Sequence, residues 1–188
     1  MATSINVNDF KTGVTILYEG NIFTVLEFQH VKPGKGSAFV RSKLKNLRTG
    51  AIIDVTFNSA TKVDTALIEK QNMQFLYNMG DIYYFMNMDT YDQLELNKSQ
   101  IEDQIVFLKE NLEVLITSYN GEILGITLPD KIEMKVTSTE PGVKGNTTSS
   151  AQKDATLETG MVIKVPLFIN DGEKVFVSTK DGKYVSRV

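Results

Sequence analysis

The chain has 188 residues, 41% hydrophobic and 23% charged, ordinary proportions for a globular protein, and no run approaches the ~20 apolar residues of a membrane span. It has no cysteine, which excludes disulfides, thiolate catalysis and cysteine-bound metal and points to the cytoplasm; Met1–Phe10 also lack the basic-then-apolar pattern of an export signal. The net charge of −3 is uneven, with residues 65–128 acidic, residues 1–64 basic, and Lys32, Lys35, Arg41, Lys43, Lys45 and Arg48 clustered between 32 and 48 without an acid.

Short runs rich in Val, Ile, Phe and Thr predict strands over Val14–Glu19, Ile22–Val31, Ala38–Leu47, Ile52–Phe57 and Lys62–Thr65. Gly20-Asn21, Pro33-Gly34, Thr49-Gly50 and Asn58-Ser59 supply the turns, and strands at this spacing read as a small barrel. The pattern then restarts with Gln74–Asn78 and Ile82–Met88 around Gly80-Asp81. Ile101, Ile105, Leu108 and Leu112 recur at helical spacing and predict a short helix. Glu113–Ser118 and Glu122–Leu128 flank Asn120-Gly121, which suits a type I′ hairpin turn. That order of strands, helix and strands is expected of an OB barrel. Lys131–Thr137, Val162–Ile169, Lys174–Thr179 and Lys183–Val188 predict a second OB-like unit, whose first hairpin carries a long polar loop within Ser138–Lys153. The expectation is an all-β chain of three consecutive small β-barrels, over residues 1–64, 65–128 and 129–188.

The most informative segment is the hairpin tip, Lys32–Ser37. Pro33 stiffens one side, while Gly34 and Gly36 supply turn conformations that other residues resist. Lys35, between two glycines, has no neighbouring side chain to bury it and projects outward. Gly and Lys are also routine in exposed turns, so an incidental lysine is the plain alternative. The surrounding basic cluster suits local contact with phosphates, and equally a solvated charged hairpin.

Lys32-Pro33-Gly34-Lys35-Gly36, followed by Ala38-Phe39-Val40-Arg41 and Leu47-Arg48-Thr49-Gly50, resembles the signature hairpin of the bacterial elongation factor P family. The resemblance runs the length of the chain, through Asp9–Gly13, Phe75-Leu76-Tyr77, Thr139–Gly145 and Gly182–Arg187. It implies an L-shaped, non-enzymatic protein with an SH3-like barrel followed by two OB barrels, acting as a monomer without a cofactor. Its implied partners are the ribosome with its rRNA, the P-site peptidyl-tRNA and a lysine-modifying enzyme, with no membrane. The implied activity is promotion of peptide-bond formation and relief of stalling at consecutive prolines. By the same resemblance Lys35 is the modified tip residue, and Lys32, Pro33, Gly34, Gly36 and Arg41 face the tRNA acceptor end. Gly145, Asn146 and Thr147 correspond to a loop near the E-site codon, and Tyr184 and Arg187 to residues near the anticodon stem. The family usually has Gly-Asp-Thr in that loop. Asn146 keeps the size and a carbonyl acceptor but removes the charge and adds an amide donor.

His30 alone, with no cysteine, makes no recognisable zinc site, and no nucleophile motif accompanies it. Asp89, Asp92, Glu95, Glu102 and Asp103 match no calcium-loop spacing and read as solvated surface. Two alternatives to the family reading are its elongation factor P-like paralogue, which shares the architecture, and a general single-stranded RNA-binding OB protein. The acidic middle third weighs against the second, since such proteins line a groove with basic and aromatic side chains.

Overall fold

The computed structural model describes residues 3–142 and 151–188; the loop residues Gly145, Asn146 and Thr147 lie outside the described residues. The described residues are all-β, in three sheets. The first contains β1 (Ser4–Asn6), β2 (Thr15–Tyr18), β3 (Asn21–Val31), β4 (Phe39–Asn46), β5 (Ile52–Asn58) and β6 (Lys62–Thr65). Their order across the sheet is β1-β6-β2-β3-β4-β5. The second contains β7 (Glu69–Met79), β8 (Ile82–Asn87), β9 (Gln93–Asn97), β10 (Glu113–Tyr119) and β11 (Glu122–Thr127), ordered β11-β10-β7-β8-β9. The third contains β12 (Lys131–Thr139), β13 (Gln152–Leu157), β14 (Val162–Pro166), β15 (Lys174–Ser178) and β16 (Tyr184–Arg187), ordered β14-β13-β12-β15-β16.

By compactness the chain divides into two units, Met1–Lys70 with Thr117–Gly125, and Gln71–Ile116 with Ile126–Val188. In the first unit alternation along β4 sends Val40, Ser42, Leu44 and Asn46 inward. The core they join holds Val7, Phe10, Ile16, Phe23, Val25 and Phe57. Phe57 takes Phe10 edge-on at 5.8 Å and Tyr18 at 5.4 Å, an arrangement favoured by the ring quadrupole. Burying each such phenyl ring contributes about 1.5–3 kcal/mol. The β10–β11 turn has Asn120 at φ 48° and Gly121 at φ 81°, the paired positive φ angles that a type I′ turn requires.

In the second unit Phe75, Phe85, Leu96 and Ile116 are buried in the middle sheet, and Met134, Val136, Leu157 and Val177 in the third. The α-helix expected around Ile101–Leu112 does not form. Two single-turn 3-10 helices, Lys98–Gln100 and Ile105–Phe107, stand in its place. Asn97 caps the first by accepting from the Ser99 amide at 3.1 Å, while the Gln100 side chain accepts from the Asn97 amide at 2.8 Å. Ile101 then leaves the helical region at φ −136°. Ile101, Leu108 and Leu112 are nonetheless buried, so the apolar spacing marked core positions correctly and their backbone wrongly.

Candidate nucleic-acid interface

The tip is built on a wide base. β3 and β4 pair from Phe23↔Asn46 to Val31↔Phe39, with one irregularity between Val25 and Glu27. β5 pairs with β4 over the same stretch, from Lys45↔Ile52 to Phe39↔Asn58. The Ser59 amide also donates to the Ala38 carbonyl at 3.0 Å. β4 is therefore held on both sides up to its last paired residue, and only the segment 32–38 stands beyond the sheet. Lys32, Pro33, Gly34, Lys35, Gly36 and Ser37 are all exposed. Gly36 has φ +108°, a conformation that residues with a Cβ rarely adopt. Gly34 has no positive φ, and a Cβ added there would meet nothing within 4 Å. Gly36, not the pair of glycines, is the one the turn requires.

Alternation along β4 places Arg41, Lys43 and Lys45 on its outer face, a row that the linear run of basic residues does not reveal. The sheet also delivers what the linear run lacked, a set of acids. Lys43 lies opposite Glu27 on β3 and Asp54 on β5, and its Nζ is 3.5 Å from Glu27. Arg41 instead sits opposite Gln29 and Thr56, with its guanidinium 5.6 Å from the Phe39 ring. Arg48 is committed elsewhere. It forms a bidentate pair with Glu122 on the β11 side of the hairpin tip, at 2.8 and 2.9 Å, and donates to the Gly20 carbonyl at 3.0 Å. These hydrogen bonds hold the Glu122 carboxyl below its ordinary pKa and raise that of Arg48. Among the described residues no carboxylate lies within ion-pair distance of Lys32, Lys35, Arg41 or Lys45. His30 packs edge-on against Phe28 at 5.7 Å, a stem contact. Among the described residues no group of three His, Asp or Glu is placed to hold a metal ion.

In the third sheet a register shift lies between Phe176 and Val177, where Phe176 pairs with Ser186 and Val177 with Tyr184. The extra residue, Val185, resets the alternation of β16. Tyr184 pairs with Val177 and Arg187 with Val175, so both candidate residues share one face of the sheet, the one on which Val175 and Val177 are buried. Uninterrupted alternation would have put them on opposite faces. Tyr184 is half-buried and Arg187 exposed; the Arg187 guanidinium lies 3.7 Å from Glu173 and 5.9 Å from the Phe168 ring. Where β13 begins, the buried Lys153 ammonium donates to the Glu140 carbonyl at 2.6 Å. Asp171 accepts from the Thr139 amide at 2.6 Å. Sequence reasoning missed both anchors because each pairs a side chain with a distant backbone group.

The all-β fold is shared with solved translation factors. The fold is similar to that of a eukaryotic-type translation initiation factor 5A from Methanococcus jannaschii, with a TM-score of 0.57 and 26% identity, over 68% of this chain and 93% of that one. A translation initiation factor 5A family protein from Naegleria fowleri shares the fold, with a TM-score of 0.54 and 15% identity over 68% of this chain and 99% of that one. Family models match in three consecutive stretches: the elongation factor P KOW-like domain over residues 6–63, its OB domain over 68–126 and its C-terminal domain over 132–187. The elongation factor P of Moorella thermoacetica is 55% identical over 183 residues, which cover 97% of this chain and 99% of that protein. The chain belongs to the elongation factor P family, and is a translation elongation factor.

Proposed function

We propose that this factor binds the ribosome beside the P-site peptidyl-tRNA and accelerates peptide-bond formation where consecutive prolines stall it. The observation that carries this reading is the tip itself. Lys35 is exposed beside a glycine that fixes the turn, on a hairpin paired up to Val31↔Phe39 in which β4 is held on both sides. A cation offered in this way, with Lys32 and Arg41 behind it, suits the phosphates of a tRNA acceptor end. Proline is a poor donor and acceptor of the peptidyl group, and reactants left badly aligned react slowly. Steadying the acceptor end lowers that barrier by orientation alone, and orientation effects reach several kcal/mol. The factor supplies no acid, base or nucleophile, and the chemistry stays with the ribosome.

Lys35 is the residue a modifying enzyme would extend, since an exposed primary amine on a narrow tip is sterically open to an active site. Tyr184 and Arg187 on one face of the third sheet support a second contact, with the anticodon stem, through stacking and phosphate binding. Gly145, Asn146 and Thr147 are assigned to the E-site codon by family resemblance. The division into barrels over 1–64, 65–128 and 129–188, a monomeric state and a cytoplasmic location belong to the same reading.

The test is cell-free synthesis of a reporter containing a run of prolines, with protein purified from its own host, with Lys35→Ala, or with nothing added. Full-length product restored by the parent but not by Lys35→Ala supports both the activity and the tip. Equal restoration by both removes Lys35 from the mechanism. No restoration on ribosomes that respond to a known active factor, together with steeply salt-dependent binding to naked RNA, would replace this reading with general RNA binding.

A further inference from the structure

The outer face of β7 and β8 carries a cluster of large apolar and aromatic side chains, Tyr77, Met79, Ile82, Tyr84 and Met86, where a solvated sheet face is ordinarily polar. Strand alternation in β8 buries Tyr83, Phe85 and Asn87 and turns Ile82, Tyr84 and Met86 outward. The registers align three rows across β7, β8 and β9: Gln74, Met86 and Gln93; Tyr77, Tyr84 and Glu95; Met79, Ile82 and Asn97. Tyr77 and Tyr84 stack with ring centroids 4.8 Å apart and planes 26° from parallel. Tyr77 remains 48% exposed and Met79 64%, so the stack and its neighbours form a surface, not a satellite core.

The charges around it are selective. Glu95 occupies the same row as the tyrosine stack, and Asp81 sits in the turn beside Met79 and Ile82. Residues 65–128 hold ten acids against Lys70, Lys98 and Lys109. Lys109 faces Glu158 at 3.7 Å, Lys98 follows β9 at the rim, and Lys70 lies near the far end of β7. Such a field repels phosphate, although an OB sheet with outward aromatics is otherwise a common platform for nucleic acid. It attracts a planar cation. A guanidinium stacks on tyrosine faces and pairs with a carboxylate in the same plane, and Met and Ile side chains offer adaptable apolar contact around it.

We propose that the Tyr77–Tyr84–Glu95 row, with Met79, Ile82 and Met86, is a docking surface for an arginine-bearing segment of a protein partner. The arginine lies over the tyrosine stack with its guanidinium directed to Glu95, and aliphatic side chains on either side cover the methionines. This surface is independent of the hairpin and of its proposed RNA contacts.

The test is selection of phage-displayed random short peptides on the full chain, followed by fluorescence anisotropy of the selected sequences as labelled synthetic peptides. Binding is measured to the parent, Tyr84→Ser and Glu95→Gln, with thermal denaturation confirming that each variant is folded. The expected binders carry arginine next to aliphatic residues. Each substitution weakens them about tenfold, as expected for losing one cation–π or one charge-assisted contact, and replacing the peptide's arginine by lysine does the same. A selection without arginine-bearing binders, or binding undiminished in both variants, overturns the proposal. Oligouridylate bound by the parent and lost in Tyr84→Ser also overturns it, and assigns the face to nucleic acid. If Tyr84→Ser fails to fold, Glu95→Gln, a change of matched size at an exposed position, decides the matter.

Discussion

At the hairpin tip Lys32 and Lys35 are exposed and have no carboxylate within ion-pair distance among the described residues, whereas the third sheet pairs its cations closely. There Lys164 lies 2.7 Å from Asp154, Lys174 2.7 Å from Glu133, and Arg187 3.7 Å from Glu173. The same side chains thus serve two purposes, and segment charge does not distinguish them. What separates them is where acids are placed: Asp154 stands opposite Lys164 in register, Glu133 lies diagonal to Lys174, and Glu173 reaches Arg187 from the residue before β15. In the third sheet the cations link neighbouring strands, and at the tip they stand without an acid among the described residues. The Arg48–Glu122 pair is the first unit's own structural cation, and its neighbour in sequence, Lys45, shows the contrast within a few residues.

The comparison predicts that stability resides in the sheets and activity at the tip. The largest stability loss is expected for Met134→Ala, a fully buried position in the third sheet. It should cost about 2–5 kcal/mol in chemical denaturation. Lys153→Met keeps the packing but removes the donor to the Glu140 carbonyl, and should cost about 1–3 kcal/mol in the same measurement. At the tip, Gly36→Ala forces a Cβ onto a φ of +108° and should cost about 1–3 kcal/mol, while Gly34→Ala leaves the denaturation midpoint in place. Equal effects of the two would show that the turn conformation is not fixed by Gly36.

Acid should act on the paired cations before it acts on the tip. Glu122 and Glu133 are held below their ordinary pKa, chiefly by hydrogen bonds from Arg48 and Lys174. A depressed carboxyl contributes stability above its unfolded pKa and loses it as pH falls through the folded one. Thermal stability should therefore fall with acidification below roughly pH 4.3, the ordinary glutamate pKa, and Glu122→Gln with Glu133→Gln should flatten that fall. Lys174 is held above its ordinary pKa by the Glu133 hydrogen bond, so the pair persists at neutral pH, opening in acid as Glu133 is protonated and in alkali as Lys174 loses its proton. Lys35→Ala should change stability by no more than about 0.5 kcal/mol, as at other exposed positions, although it should remove the rescue of proline stalling. A matching loss of stability would mean that the tip is structural after all.

Much of this was legible from side-chain alternation. The first-sheet strands β2 to β6, the Asn120-Gly121 turn and the exposed tip follow from period-two patterning and turn chemistry. Three strands did not announce themselves. β13 places Lys153, Ala155 and Leu157 inward, and a lysine at a core position erases the apolar alternation. Its burial makes sense only once the Glu140 carbonyl is seen beside it. β9, Gln-Leu-Glu-Leu-Asn, lacks the β-branched and aromatic residues that mark strands. β1 is three residues long and is recruited by β6 across most of the first barrel. The shared face of Tyr184 and Arg187 was equally hidden, because it depends on one unpaired residue in β16. Lys35 needed no structure to be noticed, but the acids that occupy Lys43 and Arg48 did.

The sheet holds β4 on both sides until Phe39, which gives the tip a short leash. A chain advances at most about 3.3–3.6 Å per residue, and residue 35 is three or four residues from either anchor. The Lys35 ammonium therefore explores a small volume around a fixed point. In solution terms, whatever amine or extension it carries would meet a target within that volume at an effective concentration of at least millimolar order, set by geometry and not by affinity. Lengthening the segment 32–38 would dilute that group without altering a single contact.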